Sequence, residues 1–130
     1  PDLVATYEAQ SAEKMKKITA TIQAEIWQDV MTPIQHIVDV LKKDKAKIHE
    51  TIITNLVDIV DLVPAYNLSN DTKLTELAAT AKELLFSVTP DDLRKSAEAR
   101  AATLASATQI LNSFSPYARA FELEPKEEVA

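Results

Sequence analysis

The sequence predicts an all-α protein, an up-and-down bundle of four main helices whose first helix is long and kinked or split at Pro33. Three observations predict it. None of the 130 residues is glycine, so the tight primed hairpins and phosphate cradles that depend on glycine cannot be written. The stretch from Ile48 to Val63 holds nine large aliphatic residues, in one line at 48, 52, 56, 59 and 63 and another at 53, 57 and 60, the spacing of a helix buried over a wide arc. The same three-and-four step runs through Met15, Ile18, Ile22, Ile26, Val30, Ile34, Ile37 and Leu41, where a strand would alternate.

Each element follows from local chemistry. The first helix is expected from Asp2 or Ser11 to about Lys43, with a weakly apolar beginning, up to Gln10, that frays. Pro33 removes a backbone donor and crowds the carbonyl four residues back, which kinks the helix; alternatively Thr32-Pro33 caps and restarts a second one. Asp44 is placed to cap the central helix, Ile48 to Val63, around which the bundle is expected to pack. That helix should stop at Val63, because Pro64 disfavours a helical predecessor. The link 64–70 is short, and short links join antiparallel neighbours.

A third helix is then expected from Asp71 to Phe86, showing Leu74, Leu77, Ala78, Ala81, Leu84, Leu85 and Val88 to the core. Thr89-Pro90-Asp91-Asp92 is the clearest start signal in the chain: a capping hydroxyl, a proline in the first turn and two carboxylates at the positive helix end. The fourth helix should run to about Ser113 with Leu93, Ala97, Ala101, Leu104, Ala107 or Thr108, and Leu111 inward. Ser115-Pro116 restarts a turn through Phe121. Residues 1–121 form one domain, and 122–130 read as a flexible acidic tail.

Composition excludes several function classes. The net charge is −6 and the pI near 4.9, which argues against a general nucleic-acid binder, since that needs a basic face to displace counterions. The charge is uneven, however: residues 11–47 carry seven Lys against five acids, and residues 48–130 carry seven Lys or Arg against thirteen. Lys42, Lys43, Lys45 and Lys47 form the one basic cluster, a solvated helix end or, in a third reading, the footing of a helical nucleic-acid adaptor. Cysteine is absent, so disulfides, thiolate nucleophiles and cysteine metal sites are not available. No apolar run reaches the length of a membrane span. The strings Asn67-Leu-Ser69 and Asn70-Asp-Thr72 match a glycosylation pattern, but no secretory leader is read at the start, so they are expected to be turn and cap chemistry in a cytoplasmic protein.

No catalytic, metal-binding or cofactor-binding residues are assigned. Dinuclear carboxylate bundles need Glu-x-x-His on two helices, and none occurs; neither does a Gly-x-Ser-x-Gly elbow. The competing reading is a metal-binding or hydrolytic bundle using His36, Asp39, Asp58 and Asp61, since His36-x-x-Asp39 and Asp58-x-x-Asp61 each share a helix face. His36 and His49 are otherwise surface residues. Arg100 stands on an otherwise small and apolar face, where it is expected either to snorkel past the core edge or to form a buried ion pair with Asp58 or Asp61. Tyr66 in the link, with its neighbour Asn67 and with Arg100, forms the candidate interface set, because a large amphipathic ring caps a bundle end or meets a partner.

The order Asn55-Leu56-x-Asp58-Ile59-Val60-Asp61-Leu62-Val63-Pro64-Ala65-x-Asn67-Leu68, followed by Asp71, Pro90-Asp91-x-Leu93-Arg94, Arg100 and Ile110-Leu111, resembles a helical region of bacteriophage and prophage proteins of unknown function. Thr72 stands where that family has a proline. The resemblance implies a phage-encoded protein in a bacterial cytoplasm and brings no activity, cofactor or catalytic residue with it. The expected function is a non-enzymatic helical interaction or assembly module. Its long first helix carries more apolar face than a short third helix covers, which points to self-association or a protein partner.

Overall fold

The structure is a computed structural model that describes residues 2–43 and 47–120. The path runs α1 Asp2–Leu41, α2 Thr51–Tyr66, α3 Thr72–Leu85, α4 Pro90–Lys95 and α5 Ala97–Ala120, with no strand among the described residues. The all-α reading stands, with five helices among the described residues in place of the four main ones expected. Helix α1 packs on α2 and α5, α3 packs on α2 and α5, and the short α4 packs on α5. The core lies within that ring, where Trp27, Ile34 and Ile37 of α1, Leu56 and Val60 of α2, Leu74, Leu77 and Leu85 of α3, Leu93 of α4 and Ile110 of α5 are all fully buried.

The most extensive contact joins α1 to α5, so α1 organises the molecule rather than the stretch 48–63. Helix α2 buries only Ile52, Ile53, Leu56, Val60 and Val63, because Thr54, Asn55, Asp58, Asp61 and Leu62 give it a wide solvent face. Helix α1 begins at Asp2 and runs through Pro33 without a restart. Pro64 does not end α2 either. It stands in the last turn, and the Asn67 N–H reaches the Val63 carbonyl at 2.9 Å to close that turn beyond it. The expected cap Asp44 and the stretch 121–130 lie outside the described residues.

Helix α3 matches its expected bounds. Asp71 is its cap, accepting from the Lys73 and Leu74 N–H groups. The residue before it, Asn70, has φ 52°; with no glycine in the chain, asparagine takes this left-handed turn position, the side chain that tolerates it best after glycine. At the start of α4 the Asp92 N–H donates to Thr89 Oγ1 at 3.1 Å and the Thr89 N–H donates to Asp92 Oδ2 at 3.3 Å. That reciprocal pair satisfies two otherwise orphaned donors. Thr89→Ala should therefore lower the unfolding free energy by about 1 kcal/mol, seen as a drop of a few degrees in Tm; an unchanged Tm would mean the box contributes nothing.

The expected fourth helix is broken at Ser96, whose φ −121° and ψ 114° are extended. Ser96 ends α4 and caps α5, since its Oγ accepts from the Ala99 N–H at 3.0 Å. The break turns the apolar line of α5. Thr103, Ala107, Ile110 and Phe114 are buried, whereas Ala97 and Ala101 are exposed and Leu104 and Leu111 half-buried. Pro116 is carried inside α5, which continues to Ala120, and the Ser115 hydroxyl donates to the Leu111 carbonyl in the turn before it.

Candidate interaction surface at one end of the bundle

The α2–α3 link is held against α1 through two side chains, Asn67 and Asp71. The Asn67 amide oxygen accepts from Gln23 Nε2 at 2.7 Å and from the Asp71 N–H at 2.9 Å. Its amide nitrogen donates to the Asp71 carbonyl at 3.0 Å and to Thr75 Oγ1 at 3.2 Å. One turn further along α1, the Trp27 indole N–H donates to Asp71 Oδ2 at 3.0 Å. Asparagine fits this place because it alone offers two donors and an acceptor on so short a stem. Gln23 is fully buried, and its Oε1 has no hydrogen-bond partner among the described residues.

Beyond this clasp α1 runs on without cover. From Gln23 to Leu41 it is about 27 Å long, comparable to the roughly 24 Å of α2, and from Asp2 to Ile22 it extends about 30 Å more. Between Val4 and Ile18 every residue whose burial is described is exposed, save half-buried Ser11. This stretch nevertheless carries an apolar stripe: Val4 is 63% exposed, Tyr7 71%, Met15 59% and Ile18 50%. Val4, Tyr7 and Ser11 recur eleven residues on as Met15, Ile18 and Ile22. An 11-residue period keeps a stripe on one side of an almost straight helix. The remaining exposed large apolar residues, Leu62, Tyr66, Leu68 and Tyr117, belong to the end of α2, the link and the end of α5. Tyr117 lies beside Ser69, Asp71 and Lys73 in a shallow hollow. The large apolar side chains left uncovered thus gather at the end of the bundle from which α1 projects.

Within this set Tyr66 is exposed, as an interface residue must be, whereas Asn67 spends its amide inside the chain. Lys73 stands over the Tyr117 ring at 5.1 Å from its centroid and pairs with Glu76 at 3.3 Å. The hydrogen bond to Glu76, then its charge, raises the Lys73 pKa above the ordinary lysine value. The stripe of α1 was partly legible, since Met15, Ile18 and Ile22 belong to the expected line. Val4 and Tyr7 were missed because this part of the helix was expected to fray.

The other end of the bundle gathers Lys43, Lys47, Arg94 and Arg100. A cavity of about 590 Å³ is lined by Val40, Leu41, Lys43, Lys47, Ile48, Leu93, Arg94 and Arg100. Arg94 Nε and one terminal nitrogen both donate to the Ile48 carbonyl, at 3.0 and 2.8 Å, and the other terminal nitrogen pairs with Glu50 at 2.7 Å and Asp91 at 2.9 Å. The Glu50 hydrogen bond raises the Arg94 pKa further, with burial opposing it. Arg100 donates to the Leu93 and Arg94 carbonyls at 2.9 and 3.2 Å, a cation on the open carbonyls at the end of α4.

The buried pair expected of Arg100 is not formed among the described residues: Asp58 and Asp61 are exposed on α2, and the Arg100 guanidinium is directed to backbone. His36, Asp39 and His49 are exposed as well, and Asp39 accepts from Gln35 Nε2 at 2.9 Å. No three His, Asp or Glu side chains among the described residues gather into a set that could hold a metal ion. Lys42, Lys43 and Lys47 are exposed, and Lys45 lies outside the described residues. No helix among the described residues is long and apolar enough to cross a membrane. Comparison of the chain with protein-family models, with curated proteins and with solved structures gives no match.

Proposed function

We propose that this chain is a non-enzymatic helical interaction module that assembles with further copies of itself through the projecting half of α1. One observation carries the reading: an apolar stripe from Val4 to Ile18 on a stretch of α1 that no other element covers. Isolated apolar residues on a surface need no explanation, but an aligned row on one helix face is what a helix–helix contact uses. Tyr66, exposed at the same end, belongs to this surface. The proposal includes the finer architecture, in which the four long helices run up and down as one domain with a bend at Pro33. It also includes a setting in the cytoplasm of a bacterial host and a phage or prophage origin, for which the support is the likeness of the strings between Asn55 and Leu111.

The test is the mass of the purified chain by native mass spectrometry and light scattering, beside the double variant Met15→Glu, Ile18→Glu. The unmodified chain is expected to be dimeric or larger. The variant should be monomeric and still fold cooperatively, because both positions are exposed, with a Tm that no longer depends on concentration and is lower only by the lost association. A monomer at tens of micromolar for the unmodified chain, or a variant that keeps the same mass, would sink the proposal.

A further inference from the structure

The cavity at the end of the bundle away from the α1 projection is lined by residues of two kinds. Val40, Leu41, Ile48 and Leu93 are aliphatic and buried. The rest are cations, Lys43, Lys47, Arg94 and Arg100, gathered in a chain whose net charge is −6. No acid and no aromatic ring lines it among the described residues. Its volume of about 590 Å³ is that of a small-molecule pocket, which runs from roughly 300 to 1,000 Å³.

The four charges are not equally compensated. Arg94 is balanced by Glu50 at 2.7 Å and Asp91 at 2.9 Å, and its remaining side is taken by the Ile48 carbonyl. Arg100 meets backbone carbonyls alone, both through one terminal nitrogen, so its Nε and second terminal nitrogen have no partner among the described residues. Lys43 and Lys47 pair with no carboxylate among the described residues. Three cations therefore stand over an aliphatic floor without a counter-charge. Their mutual repulsion is relieved by an anion placed between them.

We infer that this cavity binds a small aliphatic anion, a carboxylate or phosphate monoester on a short alkyl chain. The guanidinium of Arg100 offers its two free donors to the anion's oxygens, the fork geometry that suits either headgroup. Lys43 and Lys47 close on the same oxygens from the rim, and the chain lies over Ile48 and Leu93. A nucleobase takes an aromatic platform, which these aliphatic walls do not supply. The site is remote from the exposed stripe of α1, so it stands or falls apart from the assembly reading.

Titration of the isotopically labelled chain with octanoate and with octyl phosphate, followed by amide chemical shifts, tests this. Saturable shifts centred on Leu41, Ile48, Leu93 and Arg100 are expected with at least one of the two anions, and a response to one alone fixes the headgroup. The Kd should rise several-fold in the double variant Lys43→Gln, Lys47→Gln and with added salt. Both lysines are exposed, so this variant should keep the parent Tm. Octanol, which has the chain without the charge, and inorganic phosphate, which has the charge without the chain, should each bind several-fold more weakly. Octanol binding as tightly as the anions, or a Kd unchanged in the double variant, would leave only an apolar hollow and overturn the inference. Inorganic phosphate matching octyl phosphate would overturn the alkyl chain. The absence of saturable shifts with either anion would overturn the site, as would a response to phosphatidylglycerol vesicles alone, which would make it a membrane-facing surface.

Discussion

Trp27→Ala should lower the unfolding free energy by about 3–5 kcal/mol, a loss of roughly 10–20 °C in Tm for a chain of this size. The ring is fully buried, so its removal gives up the transfer free energy of the largest side chain in the core and leaves a cavity that a ring of packed helices closes only in part. Packing is not the whole of it. The indole N–H holds Asp71 Oδ2 at 3.0 Å while Asp71 Oδ1 caps the first turn of α3, so one carboxylate fastens the start of α3 to the middle of α1. Trp27→Phe separates the two contributions: most of the packing stays, this hydrogen bond goes, and the cost should fall to about 1–3 kcal/mol. Because Trp27 is the sole tryptophan, the transitions are followed in urea by circular dichroism at 222 nm. Equal costs for the two variants would show that the hydrogen bond, not the ring volume, dominates.

The parts of the fold that were legible in the sequence are those decided within a few residues. The Thr89 cap with Pro90 in the first turn, and the bounds of α3, are local signals and both occur as expected, Asp92 adding the reciprocal bond that makes the cap a box. The prolines were read too strongly as stops. Pro64 and Pro116 stand within about one turn of the C-terminal ends of their helices, where each gives up one hydrogen bond to the carbonyl four residues back but leaves only the last turn affected, and packing of the flanking turns outweighs the preference of the preceding residue for extended backbone. The break at Ser96 had a signal in a capping hydroxyl with Glu98 in the following turn, but it was masked by the nearly continuous row of alanines, whose helix propensity is the highest of any residue. Once that break was missed, the buried face of α5 was assigned a fraction of a turn away from its place.

The candidate surface was harder to read, because periodicity shows which residues share a face and not which part of the face is covered. Met15, Ile18 and Ile22 continue the same line as Ile26 and Val30, yet the first two are exposed and the last two buried. Only the length of the other helices, against which α1 runs out of neighbours, decides between them. The role of Asn67 was out of reach for another reason. Its partner Gln23 is 44 positions away, and no local rule connects a glutamine inside an apolar helix to an asparagine in a turn.

Asn67→Ala should cost about 2–4 kcal/mol, more than its half-buried place in a link suggests. The substitution removes both acceptances and both donations of the amide. It also leaves the fully buried Gln23 with neither amide atom paired among the described residues, and an unsatisfied buried donor carries its full desolvation cost. Asn67→Asp is the sharper probe, being nearly the same size. It keeps an oxygen for Gln23 and for the Asp71 N–H but turns a second oxygen toward the Asp71 carbonyl, where the amide donates at 3.0 Å. At pH 7 it should therefore be at least as costly as Asn67→Ala. The sign of its pH dependence follows: the folded site disfavours the charged form, so the new carboxyl has a folded pKa above its unfolded value. Its deficit is then full above the folded pKa and shrinks as pH falls toward the unfolded pKa, where the protonated group donates again. Urea unfolding of both variants from pH 7 down to pH 4, each relative to the parent chain, measures this. A small deficit for Asn67→Asp that does not change with pH would mean the amide donors hold nothing. A large one that closes in acid would identify the clasp that anchors the base of the α1 projection.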